Sequence, residues 1–141
     1  MSLVVVDASV AAKWLFEEEH SEAAARLRAP GFDLHAPDFV QVELVNLVAK
    51  NERRGILTHA EAHDAARLVH ALPLQSYAWQ DLLGPAFELA IETKRSVYDC
   101  LYLALADALG GALVTADRKF YDALQATSRA ARLLWVEDIP A

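Results

Sequence analysis

The stretch "LVVVDASV", residues 3–10, decides the fold. Four apolar residues, Leu3 to Val6, run together without a polar alternation, which is the pattern of a short strand covered on both faces. The run ends in an acid, Asp7, and passes at once into "VAAKWLFEEE" (10–19), a helical segment that Ser9 is placed to cap. A buried strand that delivers a carboxylate and turns directly into a helix is the opening unit of a parallel α/β sheet.

The same alternation continues outward. A second helix, "SEAAARLRA" (21–29), stops at Pro30-Gly31, and a strand around "DLHAP" (33–37) follows. "DFVQVELVNLVAKNERRG" (38–55) reads as a helix capped by Asp38 and ended by Gly55. Thr58 and Glu61 make a capping box that opens "HAEAHDAARLVHAL" (59–72). "LQSY" (74–77) is a strand, and "DLLGPAFELAIETK" (81–94) and "VYDCLYLALADAL" (97–109) are helices, the second ended by Gly110-Gly111. The strand "ALVT" (112–115), the helix "DRKFYDALQ" (117–125) and the strand "RLLWV" (132–136) complete the pattern. Short strands alternating with helices predict a three-layer α/β/α sandwich around a mainly parallel sheet of about five strands. No repeat, low-complexity tract or linker divides the 141 residues, so one domain is expected over 1–141.

Composition narrows the setting. With 55% hydrophobic residues the chain can bury a sizeable core. Its single cysteine, Cys100, sits inside an apolar helix and is expected to pack there in a reducing, cytoplasmic compartment. Asp7 interrupts the first apolar run too early for a signal peptide, and no run approaches the ~20 residues of a membrane span. A net charge of −7 argues against a general nucleic-acid binder, unless some of the acids converge on a cation. Three basic pairs, Arg53-Arg54, Lys94-Arg95 and Arg118-Lys119, remain available to meet a phosphate backbone locally.

Two acids stand where a parallel sheet places its chemistry, at the carboxyl ends of strands, and two more on helices can join them. Asp7 ends the first strand and Asp117 directly follows "ALVT". Asp99 lies in the first turn of its helix, and Glu43 interrupts an apolar helix with Asn46 and Lys50 on the same stripe. Each also has a purely local reading. Asp7 and Asp117 serve equally well as N-caps, Asp99 with Ser96 forms a capping-box variant, and Glu43 fits an exposed polar stripe. The group as a whole favours chemistry, because four carboxylates drawn together repel unless a cation lies among them. An all-oxygen donor set suits magnesium or manganese rather than zinc, and such an ion supports phosphodiester hydrolysis.

These residues resemble the PIN-domain ribonucleases, in particular the VapC-type toxins of toxin–antitoxin pairs. Four motifs in order carry the resemblance along the chain: "VVVDASV" (4–10), "VELVN" (42–46), "YDCLYLALA" (98–106) and "VTADRKF" (114–120). It implies a metal-dependent endoribonuclease with Mg2+ or Mn2+ held by Asp7, Glu43, Asp99 and Asp117, of which Asp7 and Asp99 are the expected direct ligands. Ser9, Asn46 and Thr115 match polar positions beside the acids. It further implies a VapB-type antitoxin whose tail wraps the toxin, an RNA substrate, a homodimer and a hetero-oligomer with the antitoxin. The alternatives are a catalytically silent module whose acidic pocket takes a basic peptide, or a magnesium-dependent phosphatase; against the latter, a dehalogenase-type site needs a second acid where Ser9 stands.

Other signals are expected to be inert. His59, His63 and His70 share a helical face but lack the H-E-x-x-H spacing. Asp122 points away from Asp117, Glu17 to Glu19 read as a solvated helix end, and Trp14, Trp79 and Trp135 read as core or interface residues.

Overall fold

The computed structural model describes residues 2–141. Its centre is β1 (Ser2–Val6), in which Val4, Val5 and Val6 are buried, as an uninterrupted β-branched run requires. Strands β2 (Phe32–Pro37) and β4 (Ala112–Thr115) flank it, β3 (Gln75–Tyr77) and β5 (Leu133–Trp135) form the edges, and every pairing is parallel in the order β3-β2-β1-β4-β5. The first crossover leaves β1 toward β2, and the later strands β4 and β5 add on its other side. The carboxyl end of β1 is therefore the topological switch point, where such sheets open a crevice.

Helix α1 (Ala8–Ala11) begins immediately beyond β1 and tightens into a 3-10 turn, Ala12–Trp14. Two expectations are corrected here. Asp7, rather than Ser9, caps this helix, accepting from the Val10 N–H at 3.2 Å. The helical turns end at Trp14, so Glu17, Glu18 and Glu19 lie on a connecting segment instead of a helix end. Ser21 Oγ folds that segment back, accepting from the Glu18 N–H and donating to the Phe16 carbonyl, before α2 (Ser21–Ala25) starts.

Helix α3 (Phe39–Arg53) ends with Gly55 in the left-handed region at φ 74°, as its sequence anticipated. Its start differs from expectation. The Asp38 carboxylate makes no bond to its own helix and instead accepts from Trp79 N–H at 3.0 Å, joining the ends of β2 and β3 to the first residue of α5 (Trp79–Thr93). Helix α4 (His59–Leu68) carries the expected capping box of Thr58 and Glu61.

Helix α6 (Val97–Leu109) is the core helix. Cys100 to Ala106 are all buried, because the helix lies against β1, β2 and β4 on one side and α5 on the other. Gly110 ends it at φ 70°, and Gly111 then passes so close to β1 that a Cβ would sit 2.7 Å from the Leu3 carbonyl oxygen. Glycine is what lets the chain re-enter the sheet beside β1. Helix α7 (Arg118–Gln125), with Phe120 and Leu124 buried, connects β4 to the edge strand β5. Among the described residues no helix is long and apolar enough to cross a membrane.

Candidate active site

Four elements bring the four acids to one place. Asp7 hangs from the end of β1, Glu43 from the second turn of α3, Asp99 from the first turn of α6, and Asp117 from the turn after β4. All four line a single pocket of about 430 Å³, together with Ser9, Lys13, Glu18, Asn46, Asn51, Tyr102 and Phe120.

Three of the local readings hold at the same time, the Ser96 and Asp99 box in one of its two bonds, whereas Glu43 is half-buried and bonded to Tyr102 and does not lie on an exposed stripe. Asp7 and Asp117 cap α1 and α7, the latter accepting from Phe120 N–H at 3.2 Å, and the Ser96 hydroxyl accepts from Asp99 N–H at 3.1 Å. One carboxylate can therefore end a strand, start a helix and face a pocket, since each strand end here becomes a helix start.

Ser9 locks two of these turns together. Its hydroxyl donates to Asp7 Oδ1 at 2.5 Å and accepts from Ala116 N–H at 2.9 Å, tying the end of β1 to the turn that carries Asp117. Thr115 is fully buried behind the pocket, and its Oγ1 accepts from Asp117 N–H at 3.1 Å. Of the three supporting polar residues, Ser9 and Asn46 line the pocket and Thr115 orients the Asp117 turn. Lys50, on the stripe of Glu43, does not line it.

The electrostatics are those of crowded anions in partial burial. Desolvation pushes Asp7 up from an ordinary 3.8 to about 6, against the lowering effect of its bonds from Ser9, Thr115 and Val10, and the nearby Glu43 carboxylate adds to the rise. Glu43 is raised, chiefly by burial and further by Asp99, although the Tyr102 hydroxyl donates to it at 2.5 Å. Asp99 is also raised by burial first and by Asp117, even though the Arg95 guanidinium lies 3.3 Å from its Oδ2. Tyr102 is driven well above the usual phenol range by burial and then by Glu43, so it stays a donor.

The donor set fits a hard cation. Every group aimed into the pocket by the four acids is oxygen, and a cation would relieve the repulsion that raises Glu43 against Asp99 and Asp99 against Asp117. Among the described residues no three acidic, histidine or cysteine side chains are grouped tightly enough to close on one metal ion.

Tyr102, Lys13 and Asn51 were not anticipated. Tyr102 is three residues beyond Asp99, so the helical spacing that put Asp99 on the pocket face carried a signal for it. Lys13 and Asn51 had none, because their place depends on how α1 and the end of α3 approach each other. The discounted residues behave as expected: His59, His63 and His70 are exposed, and Asp122 faces solvent beside Arg118. Trp135 is buried as expected, yet Arg118 lies 3.8 Å above its ring, a basic neighbour the sequence reading did not credit.

Comparison with known proteins gives the family of the chain. The PIN domain profile matches residues 4–124. Ribonuclease VapC3 of Pyrobaculum aerophilum is 39% identical over 120 residues, spanning 82% of this chain and 90% of that protein. Ribonuclease VapC9 of Mycobacterium tuberculosis is 33% identical over 124 residues, spanning 88% and 93%. Among solved structures, the sarcin-ricin loop cleaving toxin VapC20 of Mycobacterium tuberculosis superposes with a TM-score of 0.63 at 23% identity, over 85% of this chain and 94% of that one. PAE2754 from Pyrobaculum aerophilum gives 0.64 at 22% identity, over 96% and 85%. At those identities the two structures speak for the fold.

Proposed function

The chain belongs to the PIN-domain family, among its VapC-type members, and from that premise we propose that it is a metal-dependent endoribonuclease, the toxin of a type II toxin–antitoxin pair. The observation that carries this reading is the convergence of Asp7, Glu43, Asp99 and Asp117, from four separate elements, on one pocket at the sheet's switch point.

In this reading Asp7 and Asp99 hold Mg2+ or Mn2+ directly, and Glu43 and Asp117 complete the site directly or through water. The ion, when bound, polarises the scissile phosphodiester and makes an attacking water more acidic. The protein's own part is positional. Tyr102 fixes Glu43 by its hydrogen bond, Ser9 holds Asp7 in register with the Asp117 turn, and Thr115 sets the backbone of that turn. Asp7, held near 6, is largely ionised at neutral pH and ready to receive a cation.

The whole of 1–141 acts as one PIN domain in the cytoplasm, and a VapB-type antitoxin restrains it. A pocket of carboxylates is complementary to a guanidinium, so an arginine or lysine of the antitoxin tail enters it. Apolar residues of the tail lie along the segment of Trp14, Leu15 and Phe16. The toxin forms a homodimer and, with the antitoxin, a hetero-oligomer. Supporting a self-association face, Leu83, Phe87 and Ile91 stand exposed at four-residue spacing on α5.

Induction in cells tests the activity. Wild type should arrest growth and generate new RNA 5′ ends, and Asp117→Ala should do neither; growth arrest by Asp117→Ala with the same RNA ends would reject the site. A wild-type chain that binds the antitoxin yet cuts no RNA would favour the silent binding module.

A further inference from the structure

Lys13 is the only cation among the described residues that line the pocket. Its side chain is only 9% exposed, an unusual depth for a lysine, and it is carried by the turn Ala12–Trp14. The Nζ donates to Glu18 Oε1 at 3.1 Å and forms no ion pair with Asp7, Glu43, Asp99 or Asp117. An ammonium has three donors, and Glu18 takes one of them. Glu18 itself is 41% exposed and stands on the connecting segment before α2, so it can turn outward to water at little cost.

The result is a divided pocket. Arg95 pairs with Asp99 from outside the pocket lining, whereas Lys13, its stem buried, is held at the rim by Glu18 instead of neutralising the acids. A single pair to the exposed Glu18 carboxylate adds little stability, so the ammonium is free to change partners. An arriving anion supplies what the site lacks.

Building on the ribonuclease reading, we propose that Lys13 is a substrate-binding residue: its Nζ leaves Glu18 and donates to a non-bridging oxygen of an RNA phosphate in the pocket, with Glu18 as the latch that holds it until then. No bond to Lys13 is made or broken. Its charge stays in place and offsets that of the phosphate while the chain is cut.

The test uses the purified full chain with saturating manganese and a pool of fluorophore-labelled oligoribonucleotides. Lys13→Gln should lower kcat/KM roughly 10–100-fold, with KM raised, and should make the logarithmic salt dependence shallower by about 0.7, the share of one phosphate contact on a single strand. Lys13→Arg should recover most of the loss. Glu18→Gln should raise kcat/KM several-fold by freeing the ammonium, whereas Glu17→Gln, which removes the same charge one residue away, should change it less than twofold. Manganese affinity measured by calorimetry should not weaken in Lys13→Gln. The proposal is overturned if Lys13→Gln cleaves within twofold of wild type, if it loses manganese binding in parallel, or if Glu18→Gln falls as far as Lys13→Gln. Asp99→Asn in the same assay separates the two levels. If Asp99→Asn is inactive and Lys13→Gln is not, only this inference fails; if Asp99→Asn cleaves normally, the ribonuclease reading of the site fails first and takes the inference with it.

Discussion

At Asp7 one side chain does three jobs that a sequence pattern presents as rivals: it ends β1, caps α1 and lines the pocket. Its burial has a measurable consequence. With a folded value near 6 against an ordinary 3.8, the folded chain keeps a proton between about pH 4 and 6 that the unfolded chain has released. Stability of the metal-free protein therefore falls as pH rises through that window, by about 3 kcal/mol in all, and stays at the lower level above it. Asp7→Asn is neutral throughout. In chelator it should melt roughly 5–10 °C above wild type at pH 7.5, and the gap should close toward pH 4; a gap that widens on acidification would contradict the assignment. Tyr102 gives a second prediction at this scale. Its hydroxyl lowers Glu43, so Tyr102→Phe should move the acid limb of the cleavage profile to higher pH, with activity lost more at pH 6 than at pH 8. Equal losses at both would show that Tyr102 acts through packing alone.

Most elements could be read from the sequence because their signals are local. The run Leu3 to Val6, the Thr58 and Glu61 capping box, Ser96 before α6 and the glycines after α3 and α6 each act within a few residues. What escaped was set by distant partners. The first helix stops at Trp14, whose indole N–H donates to the Ala24 carbonyl at 2.9 Å, and the three glutamates beyond it leave the helical path. Asp38 serves Trp79, 41 residues on, in place of its own helix. The glycine pair after α6 separates a local requirement from a distant one. Gly110→Ala meets only the cost of a left-handed residue, about 1 kcal/mol. Gly111→Ala drives a Cβ against the Leu3 backbone and should cost roughly 2–3 kcal/mol in urea unfolding. Equal midpoints for the two variants would mean that β1 and β4 yield more easily than their pairing implies.

Across the whole molecule the charge is uneven: the net charge is −7, while cations sit close to two of the acids of the site. Arg95 lies on Asp99, and Arg118 and Lys119 begin the helix that Asp117 caps. The candidate site was legible in the sequence as four acids in four motifs, and the structure joins them in one pocket; Lys13 and Asn51 were not legible, since only the tertiary approach of α1 and α3 brings them there. The exposed stripe on α5 belongs to this scale as well. Phe87→Glu should convert a dimer to a monomer in sedimentation velocity while leaving the melting curve of the protomer intact; a wild type that sediments as a monomer at tens of micromolar would remove the dimer from the account. The central claim is that Asp7, Glu43, Asp99 and Asp117 hold a divalent ion with which the protein cuts RNA. The most direct measurement is the rate of cleavage of a labelled RNA by the purified chain as magnesium or manganese is titrated, in wild type and Asp99→Asn. Wild type should show saturable, metal-dependent cleavage that excess chelator abolishes, and Asp99→Asn a rate at least 100-fold lower; cleavage that persists in chelator, or an Asp99→Asn rate equal to that of wild type, would rule the metal site out.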